Sequence, residues 1–177
     1  EEYRQVTSKH PYIKQEIDAG IYYDHEALAQ HYEFKTSMLD LTNSLPVAAF
    51  FAVTYKEGDK YYPMKEKDKP GVLYFINSEF IMNLLNAEPK IIPVGWQIFR
   101  RPGEQRAFGI NLPNYEDFNN FPGVLGFKFY HDKKISEKIL NCFKRGETLF
   151  PKDSFAEKAA KIKDGKVFSK KSFENVY

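Results

Sequence analysis

Thiol chemistry is nearly absent from this chain. Among 177 residues there is one cysteine, Cys142, which cannot close an internal disulfide or by itself build a thiolate zinc site. Histidine is scarce too: His10, His25, His31 and His131 show no metal-ligand spacing. His25-Glu26-Ala27-Leu28-Ala29 opens as a zinc-protease helix does, but its fifth residue is alanine, and His31 lies about 600° further round a helix, off any shared face. No metal site is expected. GxGxxG and GxxxxGK[ST] are missing, which removes the common phosphate-cradling loops, and there is no GxSxG elbow. Cys142, beside Phe143 in an amphipathic pattern, reads as a small buried apolar residue rather than a nucleophile. A metal hydrolase or a thiol enzyme is thereby disfavoured.

Long apolar runs are also lacking. Nothing approaches the ~18 residues of a membrane span, and no charged-then-apolar leader or Asn-x-Ser/Thr sequon occurs. A reducing cytoplasm without a membrane partner is the default expectation. The 26 basic and 24 acidic side chains almost cancel, so net charge favours neither nucleic acid nor a lipid surface. The chain opens Glu1-Glu2-Tyr3 rather than with Met, as a piece of a longer polypeptide would.

Aromatic residues, by contrast, are plentiful: 16 Phe, 12 Tyr and one Trp within a 42% hydrophobic composition, which excludes general disorder. The length suits one domain, at about 100–200 residues per domain, able to bury roughly 70% of its unfolded surface. The opening thirty residues read as a polar helix end, a loop at His10-Pro11, and a helix over Asp24–Tyr32 capped by Asp24. Glu33–Thr42 reads as a mixed loop or short strand. Leu45–Val53, capped by Asn43 or Ser44 with Pro46 in its first turn, is apolar on every side and is expected inside the fold. Lys56–Pro70 reads as an exposed loop of about fifteen residues, a length that is usually functional or mobile. A strand over Gly71–Ile76 and a helix over Ser78–Asn86 follow.

The second half is richer in strands: Ile91–Val94, Ala107–Leu112 and Val124–Tyr130, with Arg100–Arg106 as a basic turn. Helices over Lys133–Arg145 and Ser154–Lys163 come last, stopped by Gly146 and Gly165. The fold class expected is α+β in a single domain spanning 1–177. Helices of the first half surround a buried apolar helix, mainly antiparallel strands fill the second half, and a polar basic tail occupies 164–177.

What stands out is polar density between two apolar segments. His31, Tyr32, Thr36, Asp40 and Thr42 fall within twelve residues. Asp40 and Thr42 immediately precede the all-apolar helix, at the end that carries orphan N–H groups and partial positive charge. Two readings stand side by side. A carboxylate and hydroxyls there can serve as structural caps, with His31 a hydrogen-bonded core histidine; equally, the place suits an anionic ligand such as a phosphate.

Leu28–Ala52, with Ala29-Gln30-His31-Tyr32, then Leu39-Asp40, Thr42 and the apolar helix ending Phe50-Phe51-Ala52, resembles the central signature of the FRG domain family. The Gly71–Ile76 strand, the Gln105 turn before Phe108, and Gly146–Pro151 fit that pattern as well, so the resemblance spans about residues 24–160. Glu33 stands where the family has glycine, Lys35 where it has proline, and Ser37 where it has arginine. The Phe/Tyr-Arg-Gly motif is not found; the resemblance implies that it lies upstream or has been lost. It also implies a bacterial style of protein. By analogy with arginine-type ADP-ribosyltransferases, it implies a nucleotide- or NAD-handling effector. In that reading His31, Tyr32, Thr36, Thr42 and Gln105 bind ligand, and Asp40 or Glu104 polarises a ribose hydroxyl. NAD is the implied cofactor and a small-molecule nucleotide the partner. The alternative is a non-enzymatic module for nucleic acid or a protein partner, with Arg100, Arg101 and Arg106 beside Trp96 and Phe99 as a basic patch of the kind that grips single strands.

Overall fold

The structure, a computed structural model, describes residues 2–20, 24–65, 68–77, 91–94, 99–111, 117–120 and 123–165. Three short helices open the chain: α1 (Glu2–Ser8), α2 (Pro11–Asp18) and α3 (His25–His31). Pro11 stands in the first turn of α2, where its missing N–H would have had no intrahelical acceptor. His10-Pro11 is therefore a break between two helices, and α2 replaces much of the loop expected there. Asp24 caps α3 as the sequence predicts, its carboxylate accepting from the Ala27 amide at 2.8 Å.

β1 (Met38–Thr42) and α4 (Leu45–Val53) come next. Val47, Phe50 and Val53 of α4 are buried, whereas Leu45 and Phe51 are 58% and 44% exposed. This corrects the expectation of a helix enclosed on all sides: an i, i+3, i+6 stripe meets the core, and the opposite side faces solvent. The segment read as a long exposed loop instead contains a hairpin. β2 (Thr54–Glu57) and β3 (Lys60–Pro63) pair antiparallel with Tyr55 opposite Tyr62, their rings stacked at 5.6 Å. Gly58 takes φ +57 in the turn, a conformation glycine adopts without Cβ strain. Cross-strand aromatic pairing outweighs the charged composition there.

β4 (Gly71–Ile76) forms as expected; the helix expected over 78–86 lies outside the described residues, as do Trp96, Leu112 and all of the tail beyond 165. β5 (Ile91–Pro93), α5 (Arg100–Glu104), β6 (Ala107–Asn111), β7 (Val124–Phe129), α6 (Lys133–Cys142) and α7 (Ser154–Asp164) complete the order. One-turn 3-10 helices stand at Phe118–Asn120 and Lys144–Gly146. The basic turn is thus mostly helical, and Arg100 and Glu104 pair across it at i, i+4, 3.3 Å apart. α6 ends before the predicted Arg145, since Lys144 and Arg145 take φ +49 and +57. Cys142 is exposed, not buried. The buried side of α6 is carried by Ser136 and Leu140, and a residue two further on lies about 200° round the helix.

All described ladders are antiparallel: a three-stranded sheet β1-β6-β5 and two-stranded ribbons β2-β3 and β4-β7. With helices early and late, the architecture is α+β. One core gathers Tyr3, Ile13, Leu28, Tyr32, Phe99 and Phe155. A second gathers Val47, Phe50, Leu140 and Leu149, with Tyr61, Phe143 and Phe150 packed against it. The polar cluster of the sequence sits where these two cores meet.

Candidate functional site

α3 ends at His31, and the apolar positions Ala27, Leu28 and Ala29 that bury α3 carry the imidazole inward with them, leaving His31 6% exposed. β1 runs as an edge strand of its sheet, with Asp40 opposite Gly109 of β6. The α3–β1 connection folds back so that His31 Nε2 faces Asp40 Oδ1 at 3.5 Å. Gln105, which ends α5, supplies the third member: its Oε1 lies 2.9 Å from His31 Nδ1.

The protons follow from the geometry. Gln105 Nε2 donates to the Leu149 carbonyl at 3.0 Å, which fixes the amide so that Oε1 is the atom presented to the imidazole. Oε1 only accepts, so His31 Nδ1 carries its hydrogen. Nε2 then presents either a lone pair or a proton to Asp40, and an attractive contact requires one proton shared between imidazole and carboxylate. At 3.5 Å Nε2 makes no conventional hydrogen bond, and it is buried without one.

Asp40 is the open end of the pair. Its side chain is 54% exposed while that of His31 is 3%. Surrounding protein nevertheless raises the Asp40 pKa by burial, opposed by the nearby His31 and by a hydrogen bond from Gln30. The exposed area decides whether a ligand can reach the carboxylate, and it can. Gln30 is itself held: Thr36 donates to Gln30 Oε1 and accepts from the Met38 amide at 3.2 Å. Thr36, Gln30, Asp40, His31 and Gln105 therefore form one connected chain of hydrogen bonds and one charge contact.

Thr42 joins by its backbone-directed hydroxyl, donating to the Gln105 carbonyl at 2.8 Å and accepting from the Ser44 amide at 3.1 Å. Ser44 is the N-cap of α4 and makes no side-chain cap bond; Thr42 takes over one amide of that entry. Tyr32 sits apart from this chain of bonds: it is 2% exposed, packs edge-on to Phe99 and Phe155, and donates its hydroxyl to Asp153 at 3.1 Å. Burial and the Asp153 charge push that phenol's pKa up strongly. Glu104 is turned to Arg100 and is not among the partners of His31 or Asp40.

The three arginines do not share one surface. Arg101 is 12% exposed, with its guanidinium carbon 5.0 Å from the Tyr32 ring centroid and 5.3 Å from that of Phe150. It donates to the His31 carbonyl at 3.2 Å, so it braces the end of α3. Arg100 is exposed and paired, and Arg106 takes φ +46 in the turn before β6. Sequence reasoning missed Gln30, the Leu149 carbonyl and a cluster of cations around Glu33. Lys56 Nζ lies 2.7 Å, Lys163 Nζ 3.2 Å and Arg101 Nη1 3.9 Å from that carboxylate. The one local signal was Glu33 in a place where the family pattern has glycine, and Glu33 does take φ +66, the left-handed region that favours glycine.

Among the described residues, no group of three His, Cys, Asp or Glu side chains could hold a metal ion, and no helix is long and apolar enough to cross a membrane. No curated protein and no solved structure matches the chain. A family model described as FRG domain matches residues 2–60, the stretch that carries α3, His31, Asp40, Thr42 and α4. That match supports the resemblance read in the signature, over the third of the chain that the family model covers.

Proposed function

We propose that the His31–Asp40 pair is the centre of a nucleotide-handling site, with NAD as the ligand. The observation that carries this reading is the polarity of the pair: a buried imidazole with its tautomer held by Gln105 stands behind a carboxylate that is 54% exposed. A carboxylate whose pKa is raised by burial exchanges protons more readily near neutrality than an ordinary one. In this role Asp40 accepts a hydrogen bond from a ribose hydroxyl, and His31 balances the charge that the carboxylate gains or loses. The entry of α4, five residues beyond Asp40, gives a phosphate partly positive backbone to approach. Cleavage of NAD at this site breaks the bond between nicotinamide nitrogen and ribose carbon; nicotinamide leaves with the bonding pair, and an acceptor nucleophile or water takes the ribosyl group.

Thermal denaturation with millimolar NAD, alongside nicotinamide release, tests the reading. Stabilisation by NAD that is lost in His31→Ala and reduced in Asp40→Asn is expected. No stabilisation of the wild-type chain, or equal stabilisation of all three proteins, sinks it. The rival reading, a non-enzymatic module, draws support from the β4-β7 ribbon. There Phe75, Leu125 and Phe127 are exposed on one face, the kind of apolar surface a protein partner covers. As a protein-binding module it predicts silence with NAD and with oligonucleotides alike; as a nucleic-acid module it predicts salt-dependent oligonucleotide binding without NAD binding.

A further inference from the structure

Of the four non-glycine residues with positive φ among the described residues, Glu33 alone is acidic. The position is the C′ of α3: the Phe34 amide bonds the Ala29 carbonyl at 3.2 Å and the Glu33 amide the Gln30 carbonyl at 3.0 Å, a Schellman motif whose left-handed residue is usually glycine. A glutamate there places a carboxylate among cations. Oε1 meets Lys56 at 2.7 Å and Arg101 at 3.9 Å, and Oε2 meets Lys163 at 3.2 Å. These cations arrive from β2, α5 and α7, three elements distant in sequence.

Among the described residues, three cations face this one carboxylate. Hydrogen bonds from Lys56 and Lys163 overcome the opposing effect of burial and leave Glu33 firmly ionised, with its pKa below the ordinary value. Arg101 Nη1 stands 3.9 Å from Oε1, beyond hydrogen-bond distance, so the cluster includes a cation that the two carboxylate oxygens do not bond. Glu33 is 42% exposed, and Lys56 and Lys163 about as open as each other at 32% and 33%, so a solute can reach all three. A phosphate dianion has the second charge and the third terminal oxygen that the carboxylate lacks. An aromatic wall adjoins the cluster: Tyr61 and Phe150 stack at 5.0 Å, and Glu33 acts on the Tyr61 hydroxyl.

We infer that Lys56, Arg101 and Lys163 form a phosphate-binding site that the Glu33 carboxylate occupies in the ligand-free protein, so that a phosphate-bearing small molecule enters by displacing it. The inference does not rest on the His31–Asp40 reading: neither side chain takes part in it, and His31 meets the cluster only through its carbonyl, which accepts from Arg101.

Binding of inorganic phosphate and of AMP, measured by calorimetry at constant ionic strength with chloride as control, tests the site. Glu33→Gln removes the charge and keeps the length; Glu33→Gly removes the occupant and suits φ +66, so at least the latter folds. Both variants are expected to bind phosphate at least tenfold more tightly than the wild-type chain. Adding Lys56→Ala and Lys163→Ala to Glu33→Gly should abolish that gain. Equal gains for phosphate and AMP assign the recognition to the phosphate group alone; a larger gain for AMP adds the nucleoside against the aromatic wall; either supports the site. Variants no tighter than wild type, a gain that survives loss of both lysines, or an equal response to chloride overturns it. Asp40→Asn leaves the gain intact, which separates failure here from failure of the NAD reading.

Discussion

Gln105→Leu is the perturbation that most directly tests how the polar cluster is held. Gln105 is 5% exposed and its side-chain amide serves two buried partners, His31 Nδ1 at 2.9 Å and the Leu149 carbonyl at 3.0 Å. Leucine fills nearly the same volume and can bond neither, so one donor and one acceptor are stranded. Each stranded group costs about 1–3 kcal/mol, and the greater apolarity of leucine offsets part of the sum, which leaves a net loss of about 3 kcal/mol. For a chain of this size a loss of 1 kcal/mol lowers Tm by roughly 2–4 °C, so a fall of about 6–12 °C is expected. Urea denaturation followed by both tryptophan fluorescence and far-UV circular dichroism gives the free energy directly, provided the two transitions coincide. Thr42→Val is the graded control, removing one hydroxyl bond to the Gln105 carbonyl at about 1 kcal/mol. In a double-mutant cycle with His31→Leu, the coupling should be about 1–2 kcal/mol, within the range for directly bonded residues. A loss under about 0.5 kcal/mol for Gln105→Leu would refute the reasoning, because satisfied buried groups cannot be stranded at so small a cost. The imidazole tautomer would then not be held as described.

Three other outcomes follow from the same structure. Burial raises the Asp40 pKa above 3.8, so its contribution to stability is fully present below the unfolded value and is lost as pH rises through the folded one. Asp40→Asn should therefore be more stable than wild type at pH 7, with the advantage shrinking towards pH 3.8; a pH-independent difference in Tm argues against it. His10, packed against Phe99 and Phe155, has its pKa lowered from 6.5 by burial and by Lys158. Stability is then lost as pH falls from 6.5 through the folded value, and His10→Phe should flatten that limb of the curve. Phe50 is fully buried and meets the rings of Tyr61 and Phe143; Phe50→Ala should cost about 3–5 kcal/mol in urea denaturation. A cost below about 1 kcal/mol would mean that the second core collapses to fill the space.

Local sequence pattern determined a good deal of this protein. Asp24 before an apolar i, i+1, i+4, i+5 face is a capped helix whatever surrounds it, and β-branched and aromatic runs such as Gly71–Ile76 pair as strands. The density of polar side chains over 31–42 marked a polar cluster before any fold was known, since side chains at that spacing must be reconciled with buried neighbours. What the pattern carried wrongly was burial. Composition placed α4 wholly inside and Cys142 within the core, but a helix buries only the face its neighbours reach, and α6 turns Leu140 inward and Cys142 out.

Only the tertiary structure decided which atoms meet. Gln105 reaches His31 across 74 residues of sequence and Lys163 reaches Glu33 across 130. No periodicity of two or 3.6 residues encodes such pairs; they exist because α5 and α7 pack where α3 ends. The sequence by itself determined the elements, the caps and the polar inventory, because these depend on residues a turn or a strand pair apart. Packing decided that Asp40 is the open member of its pair, that Arg101 is a buried brace rather than part of a surface patch, and that Glu33 stands among three cations. Exposure and charge pairing are properties of the assembled surface, and the surface does not exist until the chain has folded.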